Sequence, residues 1–253
     1  MATSILTPAP SPLRLSPKPL TPDSFAPFGS AIISPLPHDL VSPPSLSSLQ
    51  QQHGTPTPVL ANQSTAIKYS PVSPLQNEYS GSPSGQPSSA RMSMFCCFPR
   101  ELRHTSNAAL FDVRILERHP YTTQTFTPLN SVGEDQHIAN EPLYLVIVAP
   151  TLKGQTAAAI VKNPTTRIAE SVTITDPPDL SKVKAFVARR GQAVTYGAGT
   201  WHAPMVVLGK RRVDFVVVQF ANGVAEEDCQ EVAFEEGIEV EVDSNEGNRL
   251  EKL

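Results

Sequence analysis

Two stretches of this chain combine residue types capable of proton or metal chemistry. The first is Glu117-Arg118-His119-Pro120, with Gln124 five residues beyond the histidine. The run before it, Leu110 to Leu116, alternates. Strict strand alternation puts Phe111, Val113, Ile115, Glu117 and His119 on one face. A carboxylate and an imidazole at the end of an apolar stripe are costly to bury unless they are paired, hydrogen-bonded or coordinated. They could therefore be a satisfied pair that stabilises the end of a barrel, or a reactive site. The second stretch runs from Gly191 through Tyr196, Gly197 and Gly199 to Trp201, His202 and Pro204. It reads as two strands around a glycine-rich turn, with His202 opening the second strand beside the only tryptophan. Imidazole changes charge near neutral pH, which makes His119 and His202 the natural acid–base candidates. Glu117 could orient one of them or act as the base itself. Glu117, His119, Gln124 and His202 could alternatively form a mixed nitrogen and oxygen metal site.

Other chemistry-bearing residues have plainer readings. His38 and His53 fall in low-complexity stretches and His104 and His137 in polar loops, where solvation accounts for them. Cys96 and Cys97 sit in an apolar run and read as small core hydrophobes. The acidic runs Glu226-Glu227-Asp228 and Glu235-Glu236 read as solvated faces. No phosphate loop, nucleophile elbow, dinucleotide fingerprint or Cys-x-x-Cys pair occurs.

The elements that must position these residues are mostly strands. Besides 92–98 and 110–119, strand patterns recur around Phe126 and at 144–148, 167–175, 192–196, 205–208 and 213–220, with glycine or proline in the gaps. Asp179 to Phe186 reads as a helical start with Asp179 or Ser181 as cap, and Thr21-Pro22 as the cap and first residue of a short helix. The pattern predicts a mainly β fold, a barrel or sandwich with a few short helices. Of 26 prolines, 18 precede residue 101, and the first 60 residues carry four charged side chains. We therefore expect a flexible arm over 1–20, a single domain over 21–240 with low-complexity surface insertions at about 34–60 and 70–90, and a polar tail over 241–253. A net charge of −4 argues against a nucleic-acid binder, and no apolar run is long enough for a spanning helix. Three cysteines make no disulfide framework, and the amino end lacks a secretory pattern, so the expected setting is the cytoplasm.

The spacing of the second stretch resembles the second motif of cupin barrels, with Gly197 and Val206 where the usual proline and asparagine stand. The first cupin motif is reduced to Glu117, His119 and Gln124. More specifically, LERHPYTTQTFTPL and GQAVTYGAGTWHAPMVVLGKRRVDFVVVQF resemble segments of the ureidoglycolate lyases, cupin-like enzymes of allantoin and purine breakdown. LSPKPLTPDSFAPFGSAI, ANQSTAIKY and PDLSKVKAFVARRGQ are similar to the family's start, to a segment with an asparagine before a basic–tyrosine pair, and to a helix-to-strand passage. The resemblance covers roughly 15–33, 61–69 and 91–235, and the unmatched insertions suit a fungal-type member. Gly197 departs from relatives that carry a polar residue there.

The resemblance implies cleavage of (S)-ureidoglycolate to glyoxylate and urea. The substrate is a hemiaminal: a base removes its hydroxyl proton while the C–N bond breaks, and an acid protonates the departing urea nitrogen. No redox cofactor is required by that chemistry, although a divalent metal, nickel or zinc, is compatible with the ligand types, and the resemblance implies nickel for bacterial members. Arg118 alternates away from His119, which leaves Arg91 or Lys68 for the carboxylate. Gln124 and Asn62 can hydrogen-bond the ureido group, Tyr196 can wall the pocket, and Tyr69 completes the basic–tyrosine pair. Two other functions compete: a hydrolase releasing ammonia, which needs metal-activated water, and a non-catalytic module binding a small anion. Exposed strand edges predict a homodimer.

Overall fold

In a computed structural model, residues 4–7, 13–37, 39–49, 55–129, 142–162 and 168–242 are described. His38, His53, His137 and the tail beyond Val242 lie outside them. The chain opens with β1 (Ser4–Leu6), β2 (Leu13–Leu15), β3 (Lys18–Pro19), α1 (Pro22–Phe25) and β4 (Gly29–Ile33). A ribbon, β5 (Val59–Ala61) with β6 (Ala66–Lys68), leads to β7 (Ser89–Cys97), β8 (Arg103–His104), β9 (Ala109–Arg118) and β10 (Gln124–Pro128). Next come β11 (Pro142–Ala149), β12 (Thr156–Lys162), β13 (Ala169–Thr175), β14 (Lys184–Arg189) and β15 (Gln192–Tyr196). The described chain ends with β16 (Trp201–His202), β17 (Val206–Val207), β18 (Val213–Ala221), α2 (Ala225–Asp228) and β19 (Gln230–Val242).

Two mainly antiparallel sheets pack face to face, as a mainly β chain with short turns should. The larger runs β13-β12-β1-β19-β9-β16-β11-β14-β3, and the smaller β4-β15-β10-β18-β7. Strand β11 is buried on both sides, which is why its sequence is a continuous apolar run rather than an alternating one. Tyr144, Val146 and Val148 meet Phe25, Phe28, Phe186, Phe126 and Phe215 between the sheets. Leu145, Ile147 and Ala149 join a second core with Phe111, Val113, Leu116 and Trp201.

Several expectations are corrected. Within the expected 1–20 arm, the described residues are held in sheets: β1 inserts between β12 and β19, β2 pairs with β19, β3 pairs with β14, and Leu20 is fully buried. Alternating apolar residues there complete sheet edges that would otherwise stay open. The stretch around 180–189 is not a helix. After a 3-10 turn at Leu180–Lys182 it becomes β14, because Ala185 and Val187 feed one core while Phe186 and Ala188 feed the other. Asp179 still caps, accepting from the Ser181 amide. The 70–90 insertion packs as a strap, with Tyr79 buried. Cys96 is exposed and Cys97 half-buried, since β7 is an edge strand. The alternation of β9 also breaks: Phe111, Val113 and Leu116 share one core. The break falls where β9 passes an irregular stretch of β19 between Ala233 and Ile238. Such a bulge changes which face later residues present, so Glu117 and His119 are not on the face of Phe111 and Val113.

Candidate active site

Beyond that bulge, Glu117 stands directly opposite His202 in the β9–β16 ladder. Opposed residues point to the same face, so the register brings the two sequence-distant stretches together. Arg118 then falls on the other face, where its guanidinium stacks on Trp201 at 5.0 Å and bonds to Gln230 and the Thr175 carbonyl. His119 follows the strand end, its carbonyl held by the Gly199 amide at 2.8 Å. The two imidazole centroids are 5.5 Å apart.

Each ring is fixed by one nitrogen. His119 Nδ1 lies 2.6 Å from the Asp228 carbonyl and His202 Nδ1 3.0 Å from the Thr200 carbonyl. A carbonyl only accepts, so both Nδ1 atoms carry protons, and Nε2 is the ring atom that each histidine leaves to the site. Neither Nε2 has a hydrogen-bond partner, although both are buried. His202 Nε2 is 3.4 Å from a Glu117 oxygen, in an alignment that leaves it short of a hydrogen bond. Tyr196 stacks flat on His202, centroids 3.9 Å apart and planes at 11°. Burial and the nearby His202 push the His119 pKa down, keeping that ring neutral near pH 7. Burial works to raise the Glu117 pKa, but the neighbouring imidazoles outweigh it and hold the carboxyl below its ordinary value. Burial likewise lifts the Tyr196 phenol well above its ordinary value.

The orphaned atoms decide between a structural pair and a reactive one. A buried polar atom without a partner costs about 1–3 kcal/mol, and here His119 Nε2, His202 Nε2 and Gln124 Oε1 are all unpartnered. A pair retained for stability would be satisfied. One acceptor atom from each of Glu117, His119 and His202 lies within 4.8 Å of the others, a set of lone pairs with no opposing donor. Two imidazoles and a carboxylate of this kind suit a divalent transition metal.

Gln124 lies in the same pocket, 3% exposed and directly opposite Tyr196. Arg91, on edge strand β7, is exposed. Asn62 and Lys68 are exposed on the β5–β6 ribbon, which joins neither large sheet. Tyr69 lines a groove with Leu36, Pro37, Leu40 and Pro44. The structure thus brings together Glu117, His119, Gln124, Tyr196 and His202, and does not bring Asn62, Lys68 or Tyr69 to them.

Three supporting residues escaped the sequence reading. Gln219 sits opposite Gln124 and accepts its amide at 2.6 Å. The signal was a glutamine ending the inward stripe Val213, Phe215, Val217 of β18. Asp228 holds His119 through its carbonyl, and its carboxylate accepts from the Tyr79 hydroxyl at 2.6 Å. Glu227 accepts from the Ser84 amide and hydroxyl, both at 2.7 Å, and from Asn222. The acidic run is therefore a clamp between α2 and the strap rather than a solvated face. Tyr79 was legible only as the lone aromatic of a Ser/Pro-rich stretch.

A β-sandwich whose inter-sheet mouth holds two histidines and a glutamate from separated motifs defines a cupin-like acid–base or metal site. The chain belongs to the ureidoglycolate lyase family, whose profile matches residues 12–241. A ureidoglycolate lyase of Schizosaccharomyces pombe is 34% identical over 87% of this chain and 92% of its own length. One of Saccharomyces cerevisiae is 36% identical over 70% and 78%. A bacterial one, from Burkholderia mallei, is 28% identical over 81% of each.

Proposed function

We propose that this chain cleaves (S)-ureidoglycolate to glyoxylate and urea, a step of allantoin and purine catabolism. The observation that carries the reading is the pair of fixed imidazoles with unpartnered Nε2 atoms beside Glu117. Neutral His119 offers a lone pair to take the substrate's hydroxyl proton as the C–N bond breaks. The imidazole pair then hands that same proton to the departing urea nitrogen while the Glu117 carboxylate offsets the ring's passing positive charge, so no water is consumed, no covalent intermediate forms and the site returns to its starting state. Positioned proton transfer contributes about 10²–10⁴-fold. Arg91 supplies the cation for the substrate carboxylate. Release of equal urea and glyoxylate supports the reading; ammonia without urea would overturn it in favour of the hydrolase.

A second reading is favoured by the convergence of acceptors without donors. Glu117, His119 and His202 would then hold a divalent metal, nickel or zinc, with Gln124 beside them. When bound, such a metal supplies Lewis acidity to the substrate's hydroxyl and carboxylate. In that state the three side chains fix geometry, and Tyr196 keeps the His202 ring in plane.

The setting we propose is the cytoplasm, supported by three unpaired cysteines. Among the described residues, no helix is long and apolar enough to cross a membrane. A homodimer is supported by the open edge of β7, which exposes Met92, Met94 and Phe95, with Phe98 just past its end.

A further inference from the structure

One row of side chains crosses the smaller sheet in register: Tyr196 on β15, Gln124 on β10, Gln219 on β18 and Arg91 on β7 are successive cross-strand partners. Directly opposed residues share a face, so the row lies on the pocket side that Tyr196 and His202 define. Within it, Gln124 Nε2 donates to Gln219 Oε1 at 2.6 Å. That bond commits the nitrogen end of the Gln124 amide to its neighbour and sets the direction of the other end. The Gln124 carbonyl oxygen is buried and makes no full hydrogen bond; its side chain lies against His119, whose neutral ring carries its proton on Nδ1, toward Asp228, and so gives the oxygen no donor. An amide oxygen held this way is an acceptor waiting for an N–H or O–H donor. Of the substrate's groups, only the ureido end offers several N–H donors.

We propose that Gln219 is a positioning residue. It holds Gln124 in the one orientation that accepts the ureido N–H groups, and so makes the enzyme prefer ureido acids to other α-hydroxy acids. The inference rests on the lyase reading above, which chooses the substrate, whereas the geometry chooses the residue. Leucine at 219 cannot accept a hydrogen bond and methionine accepts only weakly through its sulfur, and the Gln124 amide is then free to turn. Glutamate can only accept, so Gln219→Glu retains the bond.

The test uses the full chain and two ligands that do not turn over: N-carbamoylglycine, which has the ureido group and carboxylate, and glycolate, which has no ureido group. By calorimetry, Gln219→Leu and Gln219→Met should bind N-carbamoylglycine about tenfold more weakly than the parent, the usual scale of one lost buried hydrogen bond. Gln219→Glu keeps the amide bond but sets a carboxylate opposite Arg91, so its ratio of N-carbamoylglycine to glycolate affinity should return toward the parent's, and glycolate should bind the parent and the Leu and Met variants alike. In turnover the same variants should show a raised KM with little change in kcat, the mark of lost ground-state binding. Unchanged N-carbamoylglycine affinity in folded Leu and Met variants overturns the proposal. So does an equal loss for both ligands, or a parent protein that does not bind N-carbamoylglycine. Urea release by the parent separates the two failures: if it persists while Gln219 proves inert, the lyase reading stands and the positioning role falls; if the parent releases none, the reading itself falls.

Discussion

At the scale of single residues, the site trades stability for unsatisfied lone pairs. Replacing His202 by phenylalanine keeps an aromatic ring against Tyr196 and removes an orphaned Nε2 along with the Nδ1 bond to Thr200. The two losses oppose each other at about 1–3 kcal/mol apiece. We therefore expect a melting temperature close to the parent's, with urea release down by about 10²–10⁴-fold. A variant that stays folded and active would return the histidines to a structural role. Metal loading is read independently of turnover: nickel or zinc that binds only the folded site should raise the melting temperature, and His119→Ala should abolish that rise. Chelator-treated enzyme that keeps full activity would instead favour the metal-free route.

At the scale of elements, the strap and α2 buttress His119 from behind. Tyr79→Phe removes the hydroxyl that bonds Asp228, whose carbonyl fixes the ring. A hydrogen bond to a charged acceptor is worth about 2 kcal/mol, so the variant should unfold at lower denaturant and show a reduced kcat. Gly29→Ala tests a different contact. Gly29 has φ of 146°, and a Cβ there would meet the Thr195 carbonyl oxygen at 1.9 Å. The clash should cost about 3 kcal/mol, visible as failed expression or a large drop in denaturant midpoint. The same elements show what a sequence reveals. Strands β10, β11, β15 and β18 and the Thr21 cap were readable because apolar pattern and turn residues agree there. His119 and His202 were readable because each stands at a strand boundary in a motif of recognisable spacing, although His202, expected to open a strand, closes the two-residue β16. The face inversion along β9 was not, because a bulge in a strand more than a hundred residues away sets it. Nor was the strap, whose Ser/Pro composition suggests disorder while one tyrosine and two α2 carboxylates pin it down.

At the scale of the whole molecule, charge and surface set the conditions in which the fold persists. Burial would raise the Glu227 pKa, but hydrogen bonds from Ser84 and Asn222 override it and bring the carboxyl to about 2. Its folded pKa thus lies below the unfolded one, so the folded state releases this proton more readily. The stabilisation is complete above an unfolded pKa near 4.5 and is lost as pH falls toward 2. Denaturation midpoints should fall between pH 5 and 3 in the parent, and more shallowly in Glu227→Gln. Light scattering should give twice the 27.3 kDa chain mass at micromolar concentration. Charge placed on the open edge, as in Met94→Lys, should lower it.

Strand β1 lies between β12 and β19, with Ile5 beside Ala233. During synthesis β1 therefore waits with one side unpaired until β19, more than two hundred residues later, has emerged, and only then does the larger sheet close. A fusion partner placed at the amino end is then not an innocent handle. It sits next to the final seam of the assembly, and a short linker there should lower the yield of folded protein where the same partner at the carboxyl end does not.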